Sequence, residues 1–595
     1  MKIFFYGIRF DWFSIVLINS LFILLHLIPG FYKNNMLFQR ILKYLFFISN
    51  SAILLLNYID IEYFKFTSKR STADLFNMIS TGDDTFDLIP RFIKDFWYVL
   101  LTWFVTLLII IVFYPKYKKV KLLNFHLTIK NYIYQSLISL LIICFLALSI
   151  RGIGFRPTNI ISASRYTNTQ NIPLILNTPF TILKTFYKDD LQPKLYFPEE
   201  QLQQIYIPIY QSNNLNRKTD NVVIIILESF SKEYVGFYNG MQGTDSSFTP
   251  FLDSLIEKSL HFRYSFSNGK KSMEALPAII AGIPSLMDNP YITSRYSSNN
   301  INTIASILNK YNYQTSFYHG GKNGTMGFDN FANIASIQKY CGKKQYPDKN
   351  DFDGNWGIFD EPYLLYYADE LNNTKSPFFS CVFTLSSHHP YSVPAKYQNK
   401  FREGKYSILK SISYTDYSLR QFFEKIKNMS WYNNTLFILT ADHTSISTDK
   451  FYTNKLGTYS VPIIFYHPTD TSIHGYRNSI VQQCDIFPSI IDYLGITDSI
   501  VCFGSSIFEK NESQFSINYI NGIFQLIHKN YLVQFNGYNI ISIHDFKTDS
   551  LLKNNLLIND QINPTEIIPL KFEMKAIIQQ YNKRLIKNKL IIERQ

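Results

Sequence analysis

The stretch TLFILTADHTS, residues 435–445, carries an apolar run of strand type straight into an aspartate and a histidine, Asp442 and His443. A short, unbroken apolar run without a helical period reads as a strand buried on both faces, the kind found in largely parallel sheets. In open α/β sheets the ligand site lies beyond the carboxyl ends of the strands. What the other strands of this chain end in therefore decides whether Asp442 and His443 stand alone.

They do not. NVVIIILE (221–228) closes on Glu228, YQTSFYH (313–319) on His319, and FFSCVFTLSSHH (378–389) on His388 and His389. Taken singly, Glu228 or Asp442 could cap a following helix, and a strand-end histidine is often a hydrogen-bonded structural residue. Taken together, four separate strands that bring Glu, His, His and Asp-His to one sheet edge describe a shared site. Two carboxylates and an imidazole suit one divalent cation, Mn²⁺ first, with Zn²⁺ or Mg²⁺ as alternatives. An open coordination position would then take a nucleophile and a substrate oxygen.

The candidate nucleophile lies in HFRYSFSNGKKSMEALPAIIAG, residues 261–282. A strand over 261–266 meets a glycine turn and then a helix whose first residues include Ser272. A hydroxyl at a helix N-terminus sits beside unpaired N–H groups and the positive dipole end, which favours an alkoxide and an incoming phosphate. Lys270 and Lys271 add to that field, and the plain alternative is Ser272 as a helix cap. Pro277 falls inside this helix and predicts a kink or a shifted boundary.

Around these strands, helical stretches at 301–311, 404–428 and 482–494 alternate with short apolar runs, the rhythm of an α/β domain with a mostly parallel sheet. Residues 515–546 alternate as a small antiparallel sheet, and those after 565 read as a basic amphipathic helix on a solvated or membrane-facing surface. Ahead of the domain, apolar segments at about 12–31, 41–58, 96–114 and 132–150 approach the roughly 20 residues needed to cross a bilayer. The predicted organisation is a transmembrane bundle of about four helices over 1–151, a membrane-surface connector over 152–218, a catalytic domain over 219–510 and a C-terminal subdomain over 511–595.

The loop after the first span carries Lys33, Arg40 and Lys43, and the loop after the third carries Lys116, Lys118, Lys119, Lys121 and Lys130, all without acids. The loop between spans two and three mixes in Asp83, Asp84 and Asp87. Positive charge marks the cytoplasmic side, so everything after about residue 152 is expected outside, with no cleaved signal peptide. Much of the net charge of +13 sits in those loops and near the C-terminus; no interleaved basic and aromatic strip suggests nucleic acid. Cys144, Cys341, Cys381, Cys484 and Cys502 have no CxxC spacing, so neither a zinc ribbon nor a disulfide framework follows from them.

The order LES, GKKS, HGG, SSHHPY and ADH, behind several apolar spans, resembles the lipoteichoic acid synthase and phosphoglycerol transferase group of the alkaline phosphatase and sulfatase superfamily. The resemblance implies an extracytoplasmic, sulfatase-like domain on the cytoplasmic membrane of a bacterium, taking a phospho-headgroup from a membrane phospholipid to a glycan or glycerophosphate acceptor. It implies Glu228, Ser272, Asp442 and His443 as metal ligands, with Ser272 the nucleophile, and His319 and His388 facing the substrate's phosphate and glycerol. DGNWGIFDE (353–361) resembles the family's WG-containing element, which puts Trp356 and Asp360 near the pocket; a turn and a helix cap explain it equally well. Where relatives place a phosphate-gripping arginine after the first substrate histidine, HGGKNGTMGFDNF offers only Lys322, a point charge without a bidentate fork. The family commonly has five spans against the four counted here, implying an outside amino end or an upstream start. Phosphoethanolamine transfer, another sulfatase-like phosphodiesterase or hydrolase activity, and a catalytically inactive membrane sensor are the alternative functions. A formylglycine sulfatase is disfavoured, because SMEAL lacks the proline and arginine of that signature.

Overall fold

The computed structural model describes the chain except residues 1, 31–34, 68, 69, 74, 77–84, 116–127, 152–166, 168–170, 187–190, 242–245, 510–513, 559–563 and 593–595. It divides into two compact units: Met1–Ala73 with Ile89–Lys188, and Asp74–Leu88 with Asp189–Gln595.

The first unit is helical. Met36–Lys65 and Ile129–Leu148 are each long and apolar enough to cross a membrane. Two further pairs, Ile3–Ile18 with Ser20–Leu27 and Ile89–Asp95 with Trp97–Phe113, are bent by 62° and 80° and would bring the spans to four if each pair is one. Their outward faces carry large apolar side chains such as Val112, Phe113 and Ile133, as lipid-facing helices do. Asp60 is buried and satisfied by Arg70 Nη1 (2.9 Å) and the Ser71 N–H (2.6 Å). Lys33, Lys116, Lys118, Lys119, Lys121, Asp83 and Asp84, on which the sidedness reading leans, lie outside the described residues.

The stretch expected as a single connector is two pieces. Ile172–Ile175 and Thr178–Thr185 pack into the helical unit, where Phe180 meets Phe10 and Phe13 edge-on at 4.9 and 5.0 Å. From Leu191 onward the chain belongs to the second unit.

That unit is built on an eight-stranded sheet. Its strands are β2 (Asn221–Leu227), β3 (Leu260–Phe266), β4 (Gln314–His319), β5 (Lys339–Cys341), β6 (Phe378–Phe383), β7 (Thr435–Ala441), β8 (Ile463–Tyr466) and β9 (Gly475–Gln482), after a short β1 (Ile209–Tyr210) that pairs with β10 (Ile500–Val501). The order is β5-β4-β6-β2-β7-β8-β3-β9, parallel throughout except β8, which is antiparallel to both β7 and β3. Every residue of β2, β6 and β7 is buried, so both faces must be covered. Two groups of helices cover them: Pro250–Ile256, Asp360–Asn372 and Ile408–Ile426 pack together, as do Ser272–Ala281, Ile304–Leu308 and Ile486–Tyr493.

The C-terminal sheet is an antiparallel meander of β11 (Phe515–Ile520), β12 (Ile523–His528), β13 (Tyr531–Phe535) and β14 (Ile540–Asp545). Its first hairpin turns on Asn521-Gly522, both left-handed at φ 53° and 81°, the pair that a two-residue hairpin demands.

The last helix, Pro564–Ile586, corrects the surface-helix expectation. Met574, Ile577, Ile578 and Tyr581 are buried in the core, and its polar residues serve backbone. Gln579 Oε1 accepts from the N–H groups of Tyr196 (2.7 Å) and Phe197 (2.9 Å), and Asn582 Nδ2 donates to Gln192 O (2.8 Å). An amphipathic pattern specifies an apolar stripe without specifying what the stripe meets.

Candidate metal centre and nucleophile

β2 and β7 are neighbours, and their parallel register pairs Leu227 with Ala441. The next residue of each strand is therefore a carboxylate, Glu228 and Asp442, side by side at the carboxyl edge. Glu228 is 2% exposed and Asp442 0%. Ser229 adopts a left-handed φ of 58°, a costly conformation for a residue with a Cβ. It turns the Ser229 N–H onto Asp442 Oδ1 (2.7 Å), while the Ser229 hydroxyl donates to Glu228 Oε1 (2.7 Å). The Glu228 N–H donates to Thr384 Oγ1 (3.0 Å) beyond β6, which ties in a third strand end.

His443 completes the cluster. Its Nδ1 lies 2.8 Å from Thr444 O. A nitrogen facing a carbonyl must carry the proton, which leaves the lone pair on Nε2. Nε2 lies 3.2 Å from Asp442 Oδ2 and 4.0 Å from Glu228 Oε1. One ligand atom from each of Glu228, Asp442 and His443 falls within 4.8 Å of the others.

This donor set fits a divalent cation. Asp442 Oδ2 is buried and accepts no hydrogen bond among the described residues. Burial, reinforced by the Asp442 charge, pushes the Glu228 carboxyl well above the usual carboxylate range. Two buried, adjacent carboxylates are costly without a counter-ion, and a bare imidazole nitrogen beside them makes a mixed O/N site.

Ser272 stands against this cluster with Oγ 3.4 Å from Glu228 Oε2. It is the first residue of the helix Ser272–Ala281, which continues through Pro277 and ends at Gly282, left-handed at φ 63°. Glu274 folds back so that Oε2 accepts from the Lys270 N–H (2.7 Å), fixing the turn before the helix. Lys270 is buried, and Nζ bridges to Thr444 Oγ1 (2.6 Å) and Thr458 O (3.0 Å). Burial pushes its ammonium down to about 8.

His319 ends β4 against the rings of Phe328 and Phe383, with Nδ1 unpartnered among the described residues. Burial, aided by His388, pushes it down to about 3, so it is neutral at physiological pH. His388 is pushed down to about 4, chiefly by burial, with His443 and Asp442 among the charges it feels. Trp356 packs on His388 at 4.1 Å between ring centroids and donates from Nε1 to His389 O (2.6 Å). Lys322 is half-buried in the turn after His319.

Asp360 sits behind the histidine loop. Its Oδ1 accepts from the N–H groups of Leu385 (2.7 Å) and Ser386 (3.2 Å), and Oδ2 from Thr415 Oγ1 (2.6 Å). Its carboxylate is thus taken up by protein donors and anchors the loop that carries His388. Asp360→Ala leaves these three donors without an acceptor in the core, and about 3 kcal/mol of stability is expected to be lost, measured by urea unfolding. Sequence reasoning passed over Ser229 and Thr384, since nothing in a lone Ser or Thr marks it as a brace.

The Sulfatase family pattern matches residues 220–496. Among characterised proteins, the lipoteichoic acid synthase-like protein YvgJ of Bacillus subtilis is 23% identical over 324 residues, covering 50% of this chain and 51% of YvgJ. A lipoteichoic acid synthase of Staphylococcus aureus is 25% identical over 329 residues, covering 50% and 49%. The matched region thus spans about half the length of these relatives. Among solved structures, an alkaline phosphatase superfamily protein from Vibrio parahaemolyticus superposes with a TM-score of 0.58 at 22% identity, covering 67% of this chain and 94% of its own. The lipoteichoic acid synthase LtaP from Listeria monocytogenes superposes with a TM-score of 0.54 at 16% identity, covering 66% and 99%. Residues 220–496 thus match the Sulfatase family, the fold is that of the Vibrio parahaemolyticus and Listeria monocytogenes structures, and the chain is similar to lipoteichoic acid synthases over half its length.

Proposed function

We propose that this chain is a membrane-anchored phosphoglycerol transferase, with residues 219–510 as its catalytic domain and Ser272 as its nucleophile. The observation that carries the reading is Ser272 Oγ at a helix N-terminus, 3.4 Å from a carboxylate of the buried Glu228, Asp442 and His443 cluster. Glu228, Asp442, His443 and Ser272 would hold one divalent ion, Mn²⁺ before Zn²⁺ or Mg²⁺. When bound, such an ion supplies Lewis acidity that lowers the pKa of a hydroxyl and neutralises charge on a phosphoryl group.

The chain's own residues do the rest. Ser272 Oγ attacks the headgroup phosphate of a membrane phospholipid, phosphatidylglycerol first. The serine O–P bond forms as the bond to the diacylglycerol oxygen breaks, and the serine proton ends on that oxygen. The helix N-terminus favours the phosphate charge as it arrives. His319 and His388, both neutral, present imidazole hydrogen bonds to the phosphate and glycerol rather than charges. Trp356 packs on His388 and fixes its ring plane, and Lys322, three residues after His319, adds positive charge. A hydroxyl of an extracytoplasmic glycan or glycerophosphate acceptor then displaces the serine and returns its proton.

Purified chain in lipid nanodiscs with Mn²⁺ tests this. Given radiolabelled phosphatidylglycerol and phosphatidylethanolamine side by side, label is expected to leave phosphatidylglycerol at least about tenfold faster, with diacylglycerol released. Faster release from phosphatidylethanolamine would make the chain a phosphoethanolamine transferase, and no release from either would end the transferase reading.

A further inference from the structure

β7 leads directly into Asp442 and His443, and β3 leads into the loop before Ser272, but these strands are not neighbours. β8 lies between them and runs antiparallel to both, so no ladder bond joins the two carboxyl ends. Two side chains do: Lys270, through Thr444 Oγ1 (2.6 Å), and Gln483. Gln483 follows β9, is 0% exposed, and donates from Nε2 to Ala441 O (2.7 Å) and Asp442 O (2.8 Å). Its Oε1 accepts from the Asn268 N–H (2.9 Å) in the loop before Ser272. Two carbonyls on one side and an N–H on the other fix the amide orientation, since a flipped carboxamide would set oxygen against oxygen.

Asn268, also 0% exposed, extends the tie. Its Oδ1 accepts from the Cys484 N–H (3.0 Å), and its Nδ2 donates to Gln482 Oε1 (2.7 Å) and Ile517 O (3.0 Å). Asn518 Nδ2 donates to Ser267 O (2.6 Å) from the C-terminal sheet. The nucleophile loop is thus held by buried amides from three directions; Lys270 reaches the Thr444 side chain beyond the metal ligands, and among the described residues of this network Gln483 reaches the backbone carbonyls of the strand end itself.

We infer that Gln483 is a positioning residue that sets the separation between Ser272 and the Asp442–His443 pair, acting through the backbone of both strand ends. The inference rests on the proposed metal site. An apolar isostere takes the Gln483 amide from the Asp442 carbonyl and the Asn268 N–H and leaves Ala441 O with the longer Thr440 Oγ1 contact (3.2 Å), so the strand end bearing Asp442 and the turn before Ser272 lose their backbone tie and keep the flexible Lys270 link. Groups that hold ligands in place from behind usually cost 10–100-fold in metal affinity or activity when removed.

Gln579 provides the control. It is a buried glutamine of the same unit whose carboxamide also bridges backbone, accepting from Tyr196 and Phe197 N–H and donating to Phe197 O, with no tie to the strand ends. Full-length Gln483→Met and Gln579→Met in detergent, with Mn²⁺ alone as the calorimetric probe, are expected to lose similar melting temperature. Only Gln483→Met should lose Mn²⁺ affinity, by about 10–100-fold, with a parallel fall in kcat on phosphatidylglycerol and KM within about twofold. Equal Mn²⁺ affinity in the two variants overturns the inference. Should Gln483→Met fail to fold, Gln483→Asn carries the same test, because it keeps an amide but cannot span both strand ends; wild-type Mn²⁺ affinity there also overturns it. A wild-type chain that binds Mn²⁺ but releases no diacylglycerol defeats the transferase reading alone and leaves the calorimetric comparison decisive.

Discussion

Ser272→Ala is expected to lower turnover by about 10³-fold or more, to the level of the assay background, while the protein inserts and folds as before. The size follows from losing the nucleophile itself, not an adjunct to it. The fold should survive, because Ser272 Oγ makes one long contact of 3.4 Å and its position at the helix start is held by Glu274 and Lys270 rather than by the hydroxyl. Intact-mass analysis after exposure to phosphatidylglycerol should show the phosphoglycerol increment on the wild type and none on the variant, with unchanged circular dichroism. An adduct on the alanine protein, or turnover at the wild-type rate, would remove the covalent mechanism.

Asp442→Asn should strike the metal instead. The substitution is isosteric: an amide oxygen still accepts from Ser229 and His443 N–H where Oδ1 does now, so the strand end keeps its shape. What disappears is the charge on Oδ2, the buried atom that no described residue satisfies. Mn²⁺ affinity is expected to fall by at least about 100-fold, beyond the loss usual for residues that only support a ligand. The metal-free protein should gain stability, because one of two repelling buried carboxylates is gone. The wild type should melt higher with Mn²⁺ at a hundred times its Kd, an increment worth about 2.7 kcal/mol, and the variant should show almost none of it. Elemental analysis finding wild-type metal content in the variant would strike Asp442 from the ligand set.

The parts of this molecule legible in its sequence are those whose physics is local. NVVIIIL and TLFILTA are buried on both faces, so their composition is nearly uniform and their ends are sharp. A parallel pair in register then places Glu228 beside Asp442 without further information. The illegible parts depend on partners far away in the chain. Asp360 reads as a pocket residue because it follows WGIF, yet its carboxylate is used up by Leu385, Ser386 and Thr415. Gln483 sits in QQCD with no motif around it, and its importance arises only because β8 runs backwards between two strands that need a tie. The helix Pro564–Ile586 has the amphipathic pattern of a surface helix, and its glutamines disclose their backbone partners only when residues 192–206 are in place.

That last helix also orders events during synthesis. Residues 192–206 leave the ribosome about 380 positions before Gln579 does, and Asn302 N–H must likewise wait for Leu590 O. Until those late residues emerge, the backbone amides of Tyr196 and Phe197 and the apolar groove that takes Met574, Ile577 and Tyr581 stay open to solvent. The nascent head is therefore a substrate for chaperones and proteases until translation reaches its final helix, and premature stops in that helix should yield degraded protein rather than a shortened enzyme.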